Sequence, residues 1–174
     1  MAAAPDQLTL ERHRDLRGRE RRPTVRWIAL GALALLALAG LLNVFGQRPH
    51  TDVAENEVAR LEVYSPKHLR GGLYYESRFH IDAREEIEDA TLVLDPGWLE
   101  GMTLNTLEPA PIGEASRDGR IALELGRIPQ GRKHLFFLHF QVNPTNIGRR
   151  SAAVELHDGE RPLLRLDRTV SIWP

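Results

Sequence analysis

Seven histidines, five serines and one acidic run are the residues of this chain whose types could do chemistry. The histidines are His13, His50, His68, His80, His134, His139 and His157. No two of them stand at the H-x-x-x-H spacing that sets a pair of imidazoles on one helix face for a metal. His134 and His139, five apart in an alternating stretch, point to opposite faces of a strand. Glu85-Glu86-Ile87-Glu88-Asp89 offers the hard oxygen ligands that calcium takes, but it lacks the alternating Asp/Asn spacing of a calcium loop and reads as a solvated hairpin tip. Ser65, Ser77, Ser116, Ser151 and Ser171 sit in no G-x-S-x-G elbow, and the glycines form neither a P-loop nor a dinucleotide fingerprint. With no cysteine there is no thiolate zinc site, cysteine nucleophile, disulfide or thioether lipid anchor. The expectation is a protein that is not an enzyme, with no catalytic residue, no metal site and no cofactor.

The elements that hold these residues divide sharply. The 174 residues carry a net charge of −1, so the total suggests no nucleic-acid partner. From Trp27 to Phe45 the sequence WIALGALALLALAGLLNVF has nineteen residues and no charge. As a helix it is about 28 Å long, enough to span a hydrocarbon core, and only a helix satisfies its own backbone there. Seven arginines against four acids precede it, in residues 1–26, whereas residues 47–60 hold only Arg48 and Arg60. The positive-inside rule then keeps the basic tail in the cytoplasm and places the C-terminal part outside the cell membrane as a single-pass topology. The rival reading is a signal peptide cleaved after Ala37-Leu38-Ala39. Continuation of the apolar run through Leu41, Leu42, Val44 and Phe45 favours a retained anchor. Residues 46–57 are polar, with Gly and Pro and no period, and read as a tether.

Beyond residue 57 the period becomes two. Leu73, Tyr75, Phe79 and Ile81 alternate with Tyr74, Glu76, Arg78 and His80 in 72–82. Ile121, Leu123 and Leu125 form one face of 119–125, and Phe136, Leu138, Phe140 and Val142 one face of 134–143. Ala152, Val154 and Leu156 do so in 150–157, and Leu164, Leu166, Val170 and Ile172 in 162–173. Shorter runs lie at 58–64, 88–94 and 102–107. Arg70-Gly71-Gly72, Asp95-Pro96-Gly97, Asp118-Gly119, Pro129-Gln130-Gly131 and Asp158-Gly159 supply the turns between them. Asp-Gly between two alternating runs is a hairpin signal. About seven to eight strands over 58–174, with no helical stripe, make an all-β antiparallel sandwich preceded by one transmembrane α-helix.

In the order of these features, GLYYESRFHID at 72–82, EDATLVLDPGW at 88–98, GRIPQGRKHLFFLHFQVNPTNIG at 126–148 and the final Asp-Gly hairpin, the chain resembles bacterial immunoglobulin-like ectodomain modules of the cell-adhesion-related type. The resemblance implies an immunoglobulin-like fold and a binding or spacer role, and it carries no catalytic residue. The cysteine pair and the tyrosine corner of antibody domains are absent from the sequence.

Two residue sets stand out. In 134–143 the face opposite the core, Leu135, Phe137 and His139, is unusually apolar. The resemblance pairs this strand with 72–82, whose outer side carries Tyr74, Arg78 and His80. Together these six would form a partner-binding patch, unless residues 108–118 cover it. On the helix, Ala32, Leu36, Ala39 and Asn43 fall on one face, where small residues admit a second helix and an amide can bond across. The function expected is an accessory or assembly subunit that presents its sandwich to a membrane-protein partner or a second copy of itself, with the lipid bilayer as its other partner. The alternative is a surface module recognising carbohydrate or peptidoglycan through exposed aromatic platforms, for which Trp98 and Trp173 are the tryptophans available outside the helix.

Overall fold

Alanine and leucine dominate residues 22–41, and both are strong helix formers. In the computed structural model, which describes residues 22–44 and 46–174, they form helix α1 (Arg22–Leu41). The chain divides into two compact units, one reaching residue 45 and the other Gly46–Pro174. Within α1, Thr24–Leu41 has a mean hydropathy of 1.9, long and apolar enough to cross a membrane. The helix therefore begins five residues before the uncharged run, because Arg22 to Arg26 continue the same backbone, and stops four residues before its end. It stops at a Schellman turn. The Val44 N–H donates to the Ala39 carbonyl and the Asn43 N–H to the Gly40 carbonyl, both at 3.0 Å, with Asn43 at φ 54°. Ala32, Leu36 and Ala39 do share a helix face, but Asn43 does not extend it, since it takes the left-handed residue that closes the helix.

The second unit holds thirteen strands among the described residues: β1 (Pro49–Glu55), β2 (Ala59–Pro66), β3 (His68–Arg70), β4 (Tyr74–Ala83), β5 (Ile87–Leu94), β6 (Met102–Glu108), β7 (Gly113–Arg117), β8 (Arg120–Ile128), β9 (Lys133–Val142), β10 (Gly148–Ser151), β11 (Val154–Asp158), β12 (Arg161–Leu166) and β13 (Thr169–Trp173). A front sheet runs β1-β2-β4-β9-β6 and a back sheet β12-β11-β5-β8-β7, both antiparallel throughout. A small third sheet, β10-β13-β3, contains the one parallel pair among the described strands, β13 with β3. This is an all-β, immunoglobulin-like antiparallel sandwich preceded by an apolar helix.

Several boundaries differ from the sequence reading for identifiable reasons. Most of the presumed tether, Pro49–Glu55, is an edge strand in seven-residue register with β2. An edge strand buries only one side weakly, so PHTDVAE shows no clean alternation. The run 162–173 is two strands in different sheets, parted at Asp167-Arg168, and 150–157 is likewise split between β10 and β11. Residues 113–117, read as loop, form the polar edge strand β7 on the back sheet. Leu73, assigned to the core face, is 46% exposed.

Between the sheets lie Leu61, Phe79, Ile81, Leu92, Leu123, Phe136, Leu138, Phe140 and Val154, all at most 1% exposed. Trp98 joins them from a 3-10 turn, Pro96–Trp98. Its ring stands 5.2 Å from Phe79 and 5.9 Å from Phe140, and its Nε1–H donates to the Ala153 carbonyl at 3.3 Å. A buried indole needs that acceptor. The turn depends on Gly97, whose backbone lies so close to the Ser151 carbonyl that a Cβ would overlap it. Gly97→Ala is expected to destabilise by about 1–3 kcal/mol, the usual cost of overpacking. A thermal unfolding midpoint equal to the parent's would show that the turn yields without cost.

Candidate interaction face

Strict register across the front sheet builds the outer face row by row. β4 and β9 pair so that His80 stands opposite Leu135, Arg78 opposite Phe137, Glu76 opposite His139 and Tyr74 opposite Gln141. On the other side of β4, Tyr64 lies opposite Arg78 and Glu62 opposite His80. β1 and β6 extend these rows with Thr51 beside Tyr64, Val53 beside Glu62, and Glu108 beside Phe137. The alternate residues, Tyr75, Ser77, Phe79 and Ile81 on β4 and Phe136, Leu138, Phe140 and Val142 on β9, point inward and are buried. One side of each strand therefore packs the core and the other presents the face.

Of the six residues singled out from sequence, Arg78, His80, Leu135, Phe137 and His139 are brought into adjoining rows. Tyr74 sits apart, beyond the Glu76–His139 row at the end of β4, and is 67% exposed. Leu135 is 38% exposed, and Phe137 is half-buried. The Arg78 guanidinium lies 5.5 Å from the centre of the Tyr64 ring and 5.9 Å from that of Phe137, so it spans two aromatic faces at once. Tyr64 and Val53 belong to this face although the sequence reading omitted them. The alternation of 58–64 was a usable signal for Tyr64, whereas Val53 lay in the presumed tether. Glu108 stands beside Phe137 at the end of β6, but the segment that follows does not cover Leu135 and Phe137: the Ile112 N–H bonds the Glu124 carbonyl at 2.7 Å and β7 pairs with β8 on the back sheet.

The charges on the face are matched except for Glu108, which is exposed beside Phe137. Arg60 pairs with Glu62 at 3.1 Å, Lys133 with Asp82 at 3.4 Å, Arg84 with Glu55 at 2.7 Å, and Arg78 with Glu76, which also lies 3.5 Å from His139 Nε2. Such exposed pairs add little stability. Their effect here is to leave an aromatic and aliphatic centre inside a polar rim that is neutral apart from Glu108.

The outer face of the back sheet is different in kind, and the sequence did not suggest it. Glu155, its side chain 13% exposed, is held by Arg120 at 2.8 Å, by His157 at 2.9 Å and by Arg165. Arg120, with help from His157 and Arg165, keeps its carboxyl down at a pKa of about 2 against burial. Arg117 approaches His157 Nδ1 at 3.0 Å. An arginine can only donate, so Nδ1 carries the lone pair and Nε2–H donates to Glu155. Val93, Ala122 and Ala153, each at most 1% exposed, lie in this region of the sheet. Every member is committed to another, which makes the network structural. At the edge of the core, burial lowers the pKa of His134. Among the described residues no group of three His, Asp or Glu side chains is placed to hold a metal ion. Trp98 is 2% exposed and cannot serve as a binding platform, while Trp173 is 59% exposed.

No family model matches the chain, and no curated protein matches it. Its fold is similar to that of CaCohA2 from Clostridium acetobutylicum, with a TM-score of 0.43 and 12% identity over 68% of this chain and 93% of that one. It is also similar to the CARDB domain of the PF1109 protein from Pyrococcus furiosus, solved in complex with di-metal ions, with a TM-score of 0.37 and 12% identity over 73% and 96% of the two chains. A beta-glucosidase from Listeria innocua shares the likeness over 73% of this chain but 16% of its own, at a TM-score of 0.30 and 11% identity.

Proposed function

We propose that this chain is a non-catalytic binding module on a single-pass anchor: α1 crosses the cytoplasmic membrane, residues 1–26 stay inside, and the sandwich outside docks its front face on a membrane-protein partner. The observation that carries the reading is the front sheet's outer face, where Tyr64, Arg78, Leu135 and Phe137 form an aromatic and aliphatic centre bordered by self-neutralised ion pairs. Apolar centres with polar rims are the usual anatomy of a protein interface. The near-neutrality of the rim means that contact area, more than long-range attraction, supplies the affinity. A partner in the same membrane also meets the domain at a raised effective concentration.

Replacing both Leu135 and Phe137 with Ser tests this reading. Both are at least partly solvated, so the unfolding midpoint should fall by no more than a few degrees, corresponding to about 1 kcal/mol. Co-purification of the partner from detergent-solubilised membranes should be lost. A double variant that stays folded and still retains its partner removes the front face from consideration. Collapse of the fold would show that the pair belongs to the core. An intact mass lacking residues 1–39 would replace the anchor with a cleaved signal.

A further inference from the structure

The end of the sandwich at which the chain arrives, its root, has a composition of its own. Pro49 pairs with Pro66, so β1 starts where β2 ends. With its amide oriented to satisfy both partners, Gln47 donates to the Tyr74 carbonyl at 3.1 Å and accepts from the Arg70 N–H at 3.3 Å. Trp173 pairs with Arg70, and the Gly71 N–H donates to the Trp173 carbonyl at 2.8 Å. Gly148 pairs with Ile172, which sets Ile147 beside Trp173. Leu73, Tyr74, Ile147 and Trp173 are 46%, 67%, 55% and 59% exposed, so four large apolar or aromatic side chains stand in solvent around the point where the chain enters. The segments that carry these four side chains, 46–48, 67–74, 143–149 and 171–174, contain Arg48, Lys67, Arg70 and Arg149 and no acidic residue. The other turns at this end, 95–101, 118–119 and 167–168, bring Asp95, Glu100, Asp118 and Asp167, of which Asp95 is paired with Arg120, Glu100 with Arg150 and Asp167 with Arg165.

The opposite end is the more acidic one. Its turns, 56–58, 84–89, 129–132 and 158–161, carry seven acids, Glu57, Glu85, Glu86, Glu88, Asp89, Asp158 and Glu160, against three arginines. We propose that the root rim is a lipid-contacting surface: Leu73, Tyr74, Ile147 and Trp173 enter the headgroup region of an anionic bilayer while Arg70 and Arg149 meet lipid phosphates. Aromatic side chains with one polar end suit that region, and each cation near an anionic surface adds on the order of 1 kcal/mol. The proposal rests on the anchor reading, because seven residues between Leu41 and Pro49 span at most about 25 Å and so keep the root within reach of the bilayer. The acidic far end is repelled by the same surface, so both ends favour one orientation.

The absence of native cysteine makes single labelled positions unambiguous. The full chain carrying Leu73→Cys, Ile147→Cys or, at the far end, Gln130→Cys is labelled with an environment-sensitive fluorophore. It is then placed in nanodiscs of phosphatidylcholine alone or mixed with phosphatidylglycerol, with a quencher on the acyl chains. Positions 73 and 147 should be quenched and blue-shifted, more strongly with the anionic lipid, while position 130 stays in water. Arg70→Gln and Arg149→Gln should each lower the ratio of docked to undocked domain by roughly fivefold. Incorporation with positions 73 and 147 no more quenched than 130 overturns the rim and leaves the anchor standing. Quenching only in native membranes, and not in nanodiscs of pure lipid, also overturns it by assigning the rim to a protein. Failure to incorporate overturns the anchor and the rim together.

Discussion

Arg168→Ala should remove about 3–5 kcal/mol, a large part of the stability of a domain this size. The Arg168 side chain is 1% exposed. Its Nη2 donates to the carbonyls of Ser65 at 3.2 Å and Pro66 at 3.1 Å, and the guanidinium lies 5.0 Å from the centre of the Trp98 ring. Burial lowers its pKa, and Asp52 works against that by raising it. The Asp52 carboxylate is 3.5 Å from Nε, close enough to attract but too poorly aligned to bond, so both Nε and Asp52 Oδ2 are left without a hydrogen bond. Removing the arginine leaves two buried carbonyls bare, exposes one side of the Trp98 ring and takes one cation from Asp52, which keeps Lys67 at 2.5 Å. Arg168→Lys should recover little, because one ammonium cannot serve two carbonyls and stack on an indole as well. Denaturant midpoints of the full chain in detergent give the result. A loss below about 1 kcal/mol for Arg168→Ala would reduce this residue to a packed aliphatic stem.

Acid should unfold the domain largely through Glu155. In the unfolded chain its carboxyl titrates near the ordinary 4.5, and in the folded one at about 2. Above 4.5 it is charged in both states and its contribution is complete. As pH falls, the unfolded state takes up the proton first, and the contribution is gone once the folded carboxyl is protonated as well. The magnitude is about 3 kcal/mol, lost between roughly pH 5 and pH 2. In Glu155→Gln that difference disappears: the variant is weaker at neutral pH, and its stability changes less across the acid limb. Parallel pH curves for the two proteins would place the acid sensitivity in other carboxylates. Because Arg120, Arg165 and His157 all address this one side chain, Glu155→Gln leaves partly unpaired cations against a sheet face where Val93 and Ala122 are buried.

Alternation made most of the front sheet legible. The partition of 72–82 and 134–143 into inner and outer residues holds along nearly their whole length, because both strands have one buried face and a fixed register. Leu73 fails at the end, one residue before β4, where its carbonyl still accepts from the Val142 N–H but its side chain is exposed beyond the core. Elements without a hydrophobic face were invisible: β1, β3, β7 and β10 are short or polar and are defined by backbone pairing that no side-chain period announces. Asn43 was misplaced because an amide in an apolar helix suggests helix contacts, while its backbone conformation shows only once the chain is folded. The back-sheet network escaped because Arg120, Glu155, His157 and Arg165 come from three strands that pairing alone brings together. Trp98 follows a Pro-Gly turn, so nothing in its local pattern indicates that it reaches the core.

The attachment of the first strand has a mechanical consequence. β1 enters at the root and runs away from it, and its turn to β2 lies at the far end. If the front face is held and the chain is pulled at Gly46 along the strand axis, β1 must slide past β2. Its seven paired positions then bear the load together instead of opening one by one, and Asp52, gripped by Lys67 with Arg168 beside it, forms a catch on the same slide. Pulled sideways, the same strand peels from the root one bond at a time. A sandwich built this way withstands tension along its long axis far better than across it, as a tie rod does.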